Sequence, residues 1–95
     1  EICALLGQPH HFSAGDVPMI ERTYVGPAYA QPTPGSQDAI LLAARTEGLI
    51  LDPVYSSKAM AGLIDLARSG QGRWKHGEHV VFLHTGGMPA LWAMP

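Results

Sequence analysis

LILDPVYSSKAMAGL, residues 49–63, followed by VVFLHTGGMPAL, residues 80–91, decides how this chain is read. In the second stretch, Val80-Val81-Phe82-Leu83 is too uniformly apolar for a half-exposed strand and fits one buried on both faces. Gly86-Gly87 closes that run, and Pro89 can occupy the first turn of a following helix. Strand, glycine loop and helix in that order are what an open α/β sheet places at its ligand edge. In the first stretch, Leu49 to Leu51 is a short apolar run cut off by Asp52-Pro53, a brief strand or an extended turn. Ser56 or Ser57 can then cap a helix with Met60, Leu63, Ile64 and Ala67 at apolar spacing. Lys58, Asp65 and Arg68 fall on its other face, and Gly70 stops it. The expected fold is α/β, a partial open, mostly parallel sheet with flanking helices.

Upstream the pattern is less regular. Glu1 stands where a start methionine is usual, and EICALLG reads as the last turns of a helix closing on Gly7, so the natural beginning is expected to lie further upstream. Gln8 to Pro34 carries five prolines and many turn formers, with only short extended pieces such as Arg22 to Val25. From Ser36 to Glu47 a helix is predicted. Ser36 caps it, Asp38 suits its first turn, Ile40, Ala43, Ala44 and Glu47 share its spacing, and Gly48 ends it. No internal repeat or low-complexity segment interrupts this order.

Composition narrows the function classes. The 95 residues make at most one small domain, too small for a complete cofactor-dependent enzyme. Hydrophobic residues make up 46% and charged residues 15%, below the usual quarter, so much apolar surface needs a partner. A net charge of −2 with six Lys and Arg gives no basic face for nucleic acid. Cys3 stands alone, which rules out an internal disulfide framework and suits a reducing, cytoplasmic setting. No secretion signal opens the chain, and His84, glycines and prolines break up the apolar tail from Val80 to Pro95, against a membrane span. No metal site is expected: His10-His11 point apart, His76 and His79 flank a turn glycine, and no acidic or cysteine cluster completes four ligands. His84, at the end of the buried strand, reads as a satisfied core residue, with a hydrogen bond near a cofactor as the alternative.

Three ordered motifs carry a family resemblance over essentially the whole chain. GPAYAQPTPGSQDAILLAARTEG, DPVYSSKAMAGLIDL and HTGGMPAL together resemble the C-terminal portion of the pyridoxal-phosphate (PLP) enzymes that include D-cysteine desulfhydrase and 1-aminocyclopropane-1-carboxylate deaminase. These are fold type II proteins, similar to the tryptophan synthase β chain. The resemblance implies that residues 1–95 are part of a larger PLP-enzyme domain. Its cofactor lysine, phosphate cup and substrate-side serine lie upstream, so the chain is expected to be inactive alone. Tyr29 and Tyr55, 26 residues apart, fall where the family carries two active-site tyrosines. A phenol is apt for proton transfer beside a substrate α-carbon, since its ordinary pKa of about 10 moves with its neighbours.

By the same resemblance, Ser56 would face the PLP ring nitrogen, and Thr85, Gly86 and Gly87 would lie near the ring. The deaminase branch carries glutamate at the position of Ser56, and the desulfhydrase branch threonine. A serine hydroxyl holds a ring proton less firmly than a carboxylate, which tilts the resemblance towards β-elimination of a small amino acid to pyruvate, ammonia and sulfide. Lys58 reads as structural or solvent-facing rather than as the cofactor lysine. The implied partners are the upstream part of the same enzyme or another copy of this chain. The alternative reading is a truncated-gene product acting as a homo-oligomeric binding module.

Overall fold

The computed structural model describes residues 2–16 and 22–93. The expected ends at Glu1 and Pro95, and the part of the proline-rich loop over 17–21, lie outside the described residues. Among the described residues three α-helices run in chain order: α1 (Ile2–Leu5), α2 (Pro34–Glu47) and α3 (Ser56–Ser69), with 3-10 turns at Ala14–Asp16 and Met88–Ala93.

Among the described residues there is no strand and no sheet, which overturns the expected α/β architecture. The fault lies in the inference from Val80–Leu83. Those residues are non-helical as expected, but no backbone hydrogen bond joins them to another described residue. An apolar run becomes a strand only when a second strand takes up its N–H and C=O groups. Here Val81 and Leu83 are 88% and 79% exposed rather than buried. Leu49 to Leu51 takes the other form allowed for it, an extended approach to a turn, with Leu51 fully buried. Arg22 to Val25 is a turn rather than an extended piece, closed by the Val25 amide on the Arg22 carbonyl at 3.2 Å.

The two long helices form where the pattern placed them, with different caps. For α2 the N-cap is Thr33, one residue before Pro34. The Thr33 hydroxyl accepts from the Ser36 amide at 3.1 Å, and the Ser36 hydroxyl accepts from the Thr33 amide at 2.9 Å. Ser36 is thus the returning partner of a capping box and not the cap itself. Gly48 ends α2 in the left-handed region, which turns the chain so that the following Leu49 amide reaches back to the Ala43 carbonyl at 3.2 Å. The start of α3 has no side-chain cap from Tyr55, its N-cap residue, and is closed from Asp52 instead.

Helices α2 and α3 pack on each other and hold what core there is. Ser36, Ala39 and Ala43 are buried on α2, and Ser56, Ser57, Lys58 and Gly62 on α3. The expected stripe Met60, Leu63 and Ile64 is only half-buried, and Ala67 is exposed. Gly62 makes room for the upstream loop rather than for α2, since a Cβ on it would strike the Tyr24 ring at 2.9 Å. The remainder is open. The accessible surface is 7716 Å², where a compact chain of this mass exposes about 5300 Å². The radius of gyration is 16.1 Å, against about 12 Å for a compact domain of this length. No described helix is long and apolar enough to cross a membrane.

Candidate functional site

The turn LDPVYSS folds around one carboxylate. Asp52 is completely buried. Its Oδ2 accepts from the amides of Val54 at 2.8 Å and Tyr55 at 2.7 Å, and its Oδ1 from the Ser56 amide at 2.7 Å and the Ser56 hydroxyl at 2.6 Å. The Asp52 amide donates back to Ser56 Oγ at 2.8 Å. Burial pushes this carboxyl up, but the hydrogen bonds from the Ser56 hydroxyl and the Ser56, Tyr55 and Val54 amides outweigh it. The net effect holds Asp52 below its ordinary range. Pro53 assists, because it has no N–H to place among those donors and its ring fixes the turn.

Tyr55 leaves this turn as the last residue before α3, and its phenol meets Tyr29. The two hydroxyl oxygens are 2.5 Å apart and the ring centroids 6.1 Å. The hydrogen bond with Tyr29 is the main reason Tyr55 holds its proton more tightly than an ordinary phenol, with burial and the negative charge of Asp52 acting in the same direction.

Tyr29 is delivered by a loop tied to α3 at two points. The Tyr24 hydroxyl donates to Asp65 at 2.6 Å, and the Lys58 ammonium donates to the Val25 carbonyl at 2.5 Å. Of the two roles open to Lys58 the structure takes the first: it is a buried strut. Directly after Tyr29, Ala30 adopts a positive φ of 58°, a conformation that costs a residue with a Cβ about 1–2 kcal/mol. Both phenols open onto a groove of about 650 Å³, within the size range of small-molecule sites. Val54, Ala59, Leu63, Leu66 and Phe82 supply its apolar wall.

The glycine loop joins the same turn from the other side. His84 Nδ1 accepts the Gly86 amide at 3.1 Å, so its Nε2 carries the hydrogen and donates to the Ile50 carbonyl at 2.8 Å. His84 is bonded but exposed, and sits on irregular backbone, so it is neither the core residue nor the strand end expected of it. Gly87, at φ 87°, lies against Asp52 so closely that a Cβ would stand 2.7 Å from Asp52 Cγ. Gly86 has open space around it, and Thr85 is exposed.

The structure thus brings Tyr29 to Tyr55, and Ser56 and Gly87 to Asp52; Thr85 stands apart on the surface. Sequence reasoning passed over Asp52, treating Asp-Pro only as a breaker. The signal was present, since an Asp preceding a helix start accepts from amides two to four residues on. No comparable signal marks Ala30.

No family model matches this chain. Individual relatives do. A 1-aminocyclopropane-1-carboxylate deaminase of Methylobacterium nodulans is 45% identical over 87 residues, 92% of this chain and 25% of that protein. One from Burkholderia vietnamiensis is 43% identical over 86 residues, covering 90% of this chain and 24% of the relative. A third, from Rhizobium leguminosarum bv. viciae, is 49% identical over 73 residues, 77% of this chain and 21% of the relative. This chain is a homologue of one stretch of the 1-aminocyclopropane-1-carboxylate deaminases. It spans about a quarter of the length of these curated deaminases. The relatives support the deaminase side of the expected family and do not single out D-cysteine desulfhydrase.

Proposed function

We propose that this chain is the C-terminal portion of a PLP-dependent lyase acting on a small amino acid, and supplies one wall of its active site. The observation that carries the reading is the approach of Tyr29 and Tyr55 to 2.5 Å from positions 26 residues apart, within a stretch homologous to deaminases. The residues present fit one side of a flat cofactor ring. The Gly87 backbone packs without a Cβ on the turn that carries Ser56, and the preceding residue, Tyr55, carries the phenol that meets Tyr29. They do not fit the phosphate or the aldehyde, since the Lys58 ammonium is committed to the Val25 carbonyl. When bound, PLP supplies an electron sink. By resemblance Ser56, Thr85, Gly86 and Gly87 would lie near its ring, but here the Ser56 hydroxyl is buried and engaged with Asp52 as both donor and acceptor, and Thr85 stands on the surface. The paired phenols share one hydrogen bond at the rim of the groove, placed to hand a proton to or from a substrate bound there.

For the substrate, the relatives favour ring opening of 1-aminocyclopropane-1-carboxylate, while Ser56 in place of the glutamate expected there favours β-elimination from D-cysteine. Mixing the purified chain with the remaining upstream part of a relative, loaded with PLP, tests both. Ammonia from the cyclopropane acid supports the first reading, and sulfide from D-cysteine the second. The chain alone is expected to turn over neither, and turnover by the chain alone sinks the fragment reading. A second reading, an oligomeric binding module, draws on the exposure of Val81, Leu83 and Trp92. A strictly monomeric mass by sedimentation removes it.

A further inference from the structure

Asp52 touches both halves of the candidate site and belongs to neither set of expected functional residues. Four donors converge on its carboxylate, three of them consecutive amides of the residues that carry and flank the Tyr55 phenol. Its far side is the surface on which Gly87 rests, with a Cβ there lying 2.7 Å from Cγ and 3.0 Å from Cβ and Oδ1. The chemistry is specific to aspartate. Asparagine offers one acceptor oxygen and an NH2 that would face N–H donors, and glutamate carries an extra methylene into the space against Gly87.

We propose that Asp52 is a positioning residue that holds Tyr55 against Tyr29 and seats the Gly86–Gly87 turn on the same carboxylate, so that the two motifs keep one register. Two motifs more than thirty residues apart in sequence are thereby fixed by a single side chain. The proposal rests on Tyr29 and Tyr55 being the working phenols. Its test reads tyrosine ionisation rather than turnover, so its failure and the failure of the lyase reading are told apart.

The experiment follows the ring-carbon NMR shifts of isotope-labelled tyrosine against pH in the 95-residue protein, with Tyr55→Phe identifying the Tyr55 signal and far-ultraviolet circular dichroism alongside. The Tyr29 hydrogen bond, as the largest cause, is expected to hold the Tyr55 ionisation above that of an ordinary phenol, and Tyr29→Phe to bring it down. Asp52→Asn is expected to keep the helical signal and to abolish the effect of Tyr29→Phe on the Tyr55 ionisation, whereas a fall from loss of the Asp52 charge alone leaves that effect in place and overturns the proposal. A titration that overlays the parent, with helicity kept, overturns the proposal. Should Asp52→Asn lose helicity, Gly87→Ala decides, since it changes a loop and leaves α2 and α3 intact. Its methyl is expected to push Asp52 and lower the same ionisation. Gly86→Ala is strained equally by a φ of 94° but meets nothing within 4 Å, and is expected to leave the ionisation in place. A Gly87→Ala curve identical to the parent, or an equal shift in Gly86→Ala, overturns the shared seat.

Discussion

The turn from Asp52 to Ser57 and the run from Val80 to Leu83 have opposite needs. In the first, a buried carboxylate, two hydroxyls and consecutive amides lie within a few residues of each other; among the described residues Ser57 Oγ is the one buried side-chain polar atom there with no partner. In the second, four apolar residues carry backbone groups that nothing described here pairs, and Val81 and Leu83 face outward. Polar satisfaction is local and needs only neighbours in sequence. Apolar burial and strand pairing need a second surface, and this chain contributes only one side of it.

The sharpest break of that comparison comes at Asp52. Asp52→Ala leaves three amides and the Ser56 hydroxyl without their acceptor in a buried turn, and is expected to destabilise the chain by about 3 kcal/mol, measured by urea unfolding of the 222 nm signal. A loss below about 1 kcal/mol would mean that water reaches the turn and that it is no more self-contained than the open run. Acid tests the same group with a definite sign. Asp52 has a folded pKa below its unfolded value, so its stabilisation is complete above the unfolded carboxylate value of about 3.9 and disappears as pH falls through the lowered folded value. Stability of the wild type should therefore decline below about pH 4, and Asp52→Asn should lack that part of the decline.

A smaller effect is expected at the other local device. Thr33→Ala removes the capping box of α2 and should cost about 1 kcal/mol in the same unfolding assay, with α3 unaffected by amide exchange. Loss of protection across both helices would show that the caps are not independent of the α2–α3 contact.

How much was readable in the sequence follows the same division. Gly48 and Gly70 were legible as helix ends because a left-handed stop is a property of one residue. The tyrosines were legible only as a matched motif, since nothing within 26 residues of chain announces that two phenols will meet; their meeting depends on Ala30 turning and on Lys58 and Tyr24 anchoring the loop. The caps went to Thr33 and Asp52 rather than to Ser36 and Ser56, because each serine lies one turn further on and bonds back. The sheet was misread for a different reason. Uniform apolarity in Val80–Leu83 records the surroundings such a segment suits, and those surroundings include strands that the described residues do not contain.

The smallest expected effect probes that last point. Val81 is 88% exposed, so Val81→Asp should change the unfolding free energy of the monomer by less than about 0.5 kcal/mol, as surface substitutions do. At a fully buried strand position the same substitution would place an unpaired charge in the core and cost several kcal/mol. The measurement is made across a range of protein concentrations. A negligible effect at every concentration keeps the run as a surface of the single chain. An effect that grows with concentration places Val81 in a contact between copies, since association adds stability by mass action and a buried charge removes it. A large effect at every concentration means that the run is packed within the monomer, and that the contrast between a closed turn and an open flank does not hold.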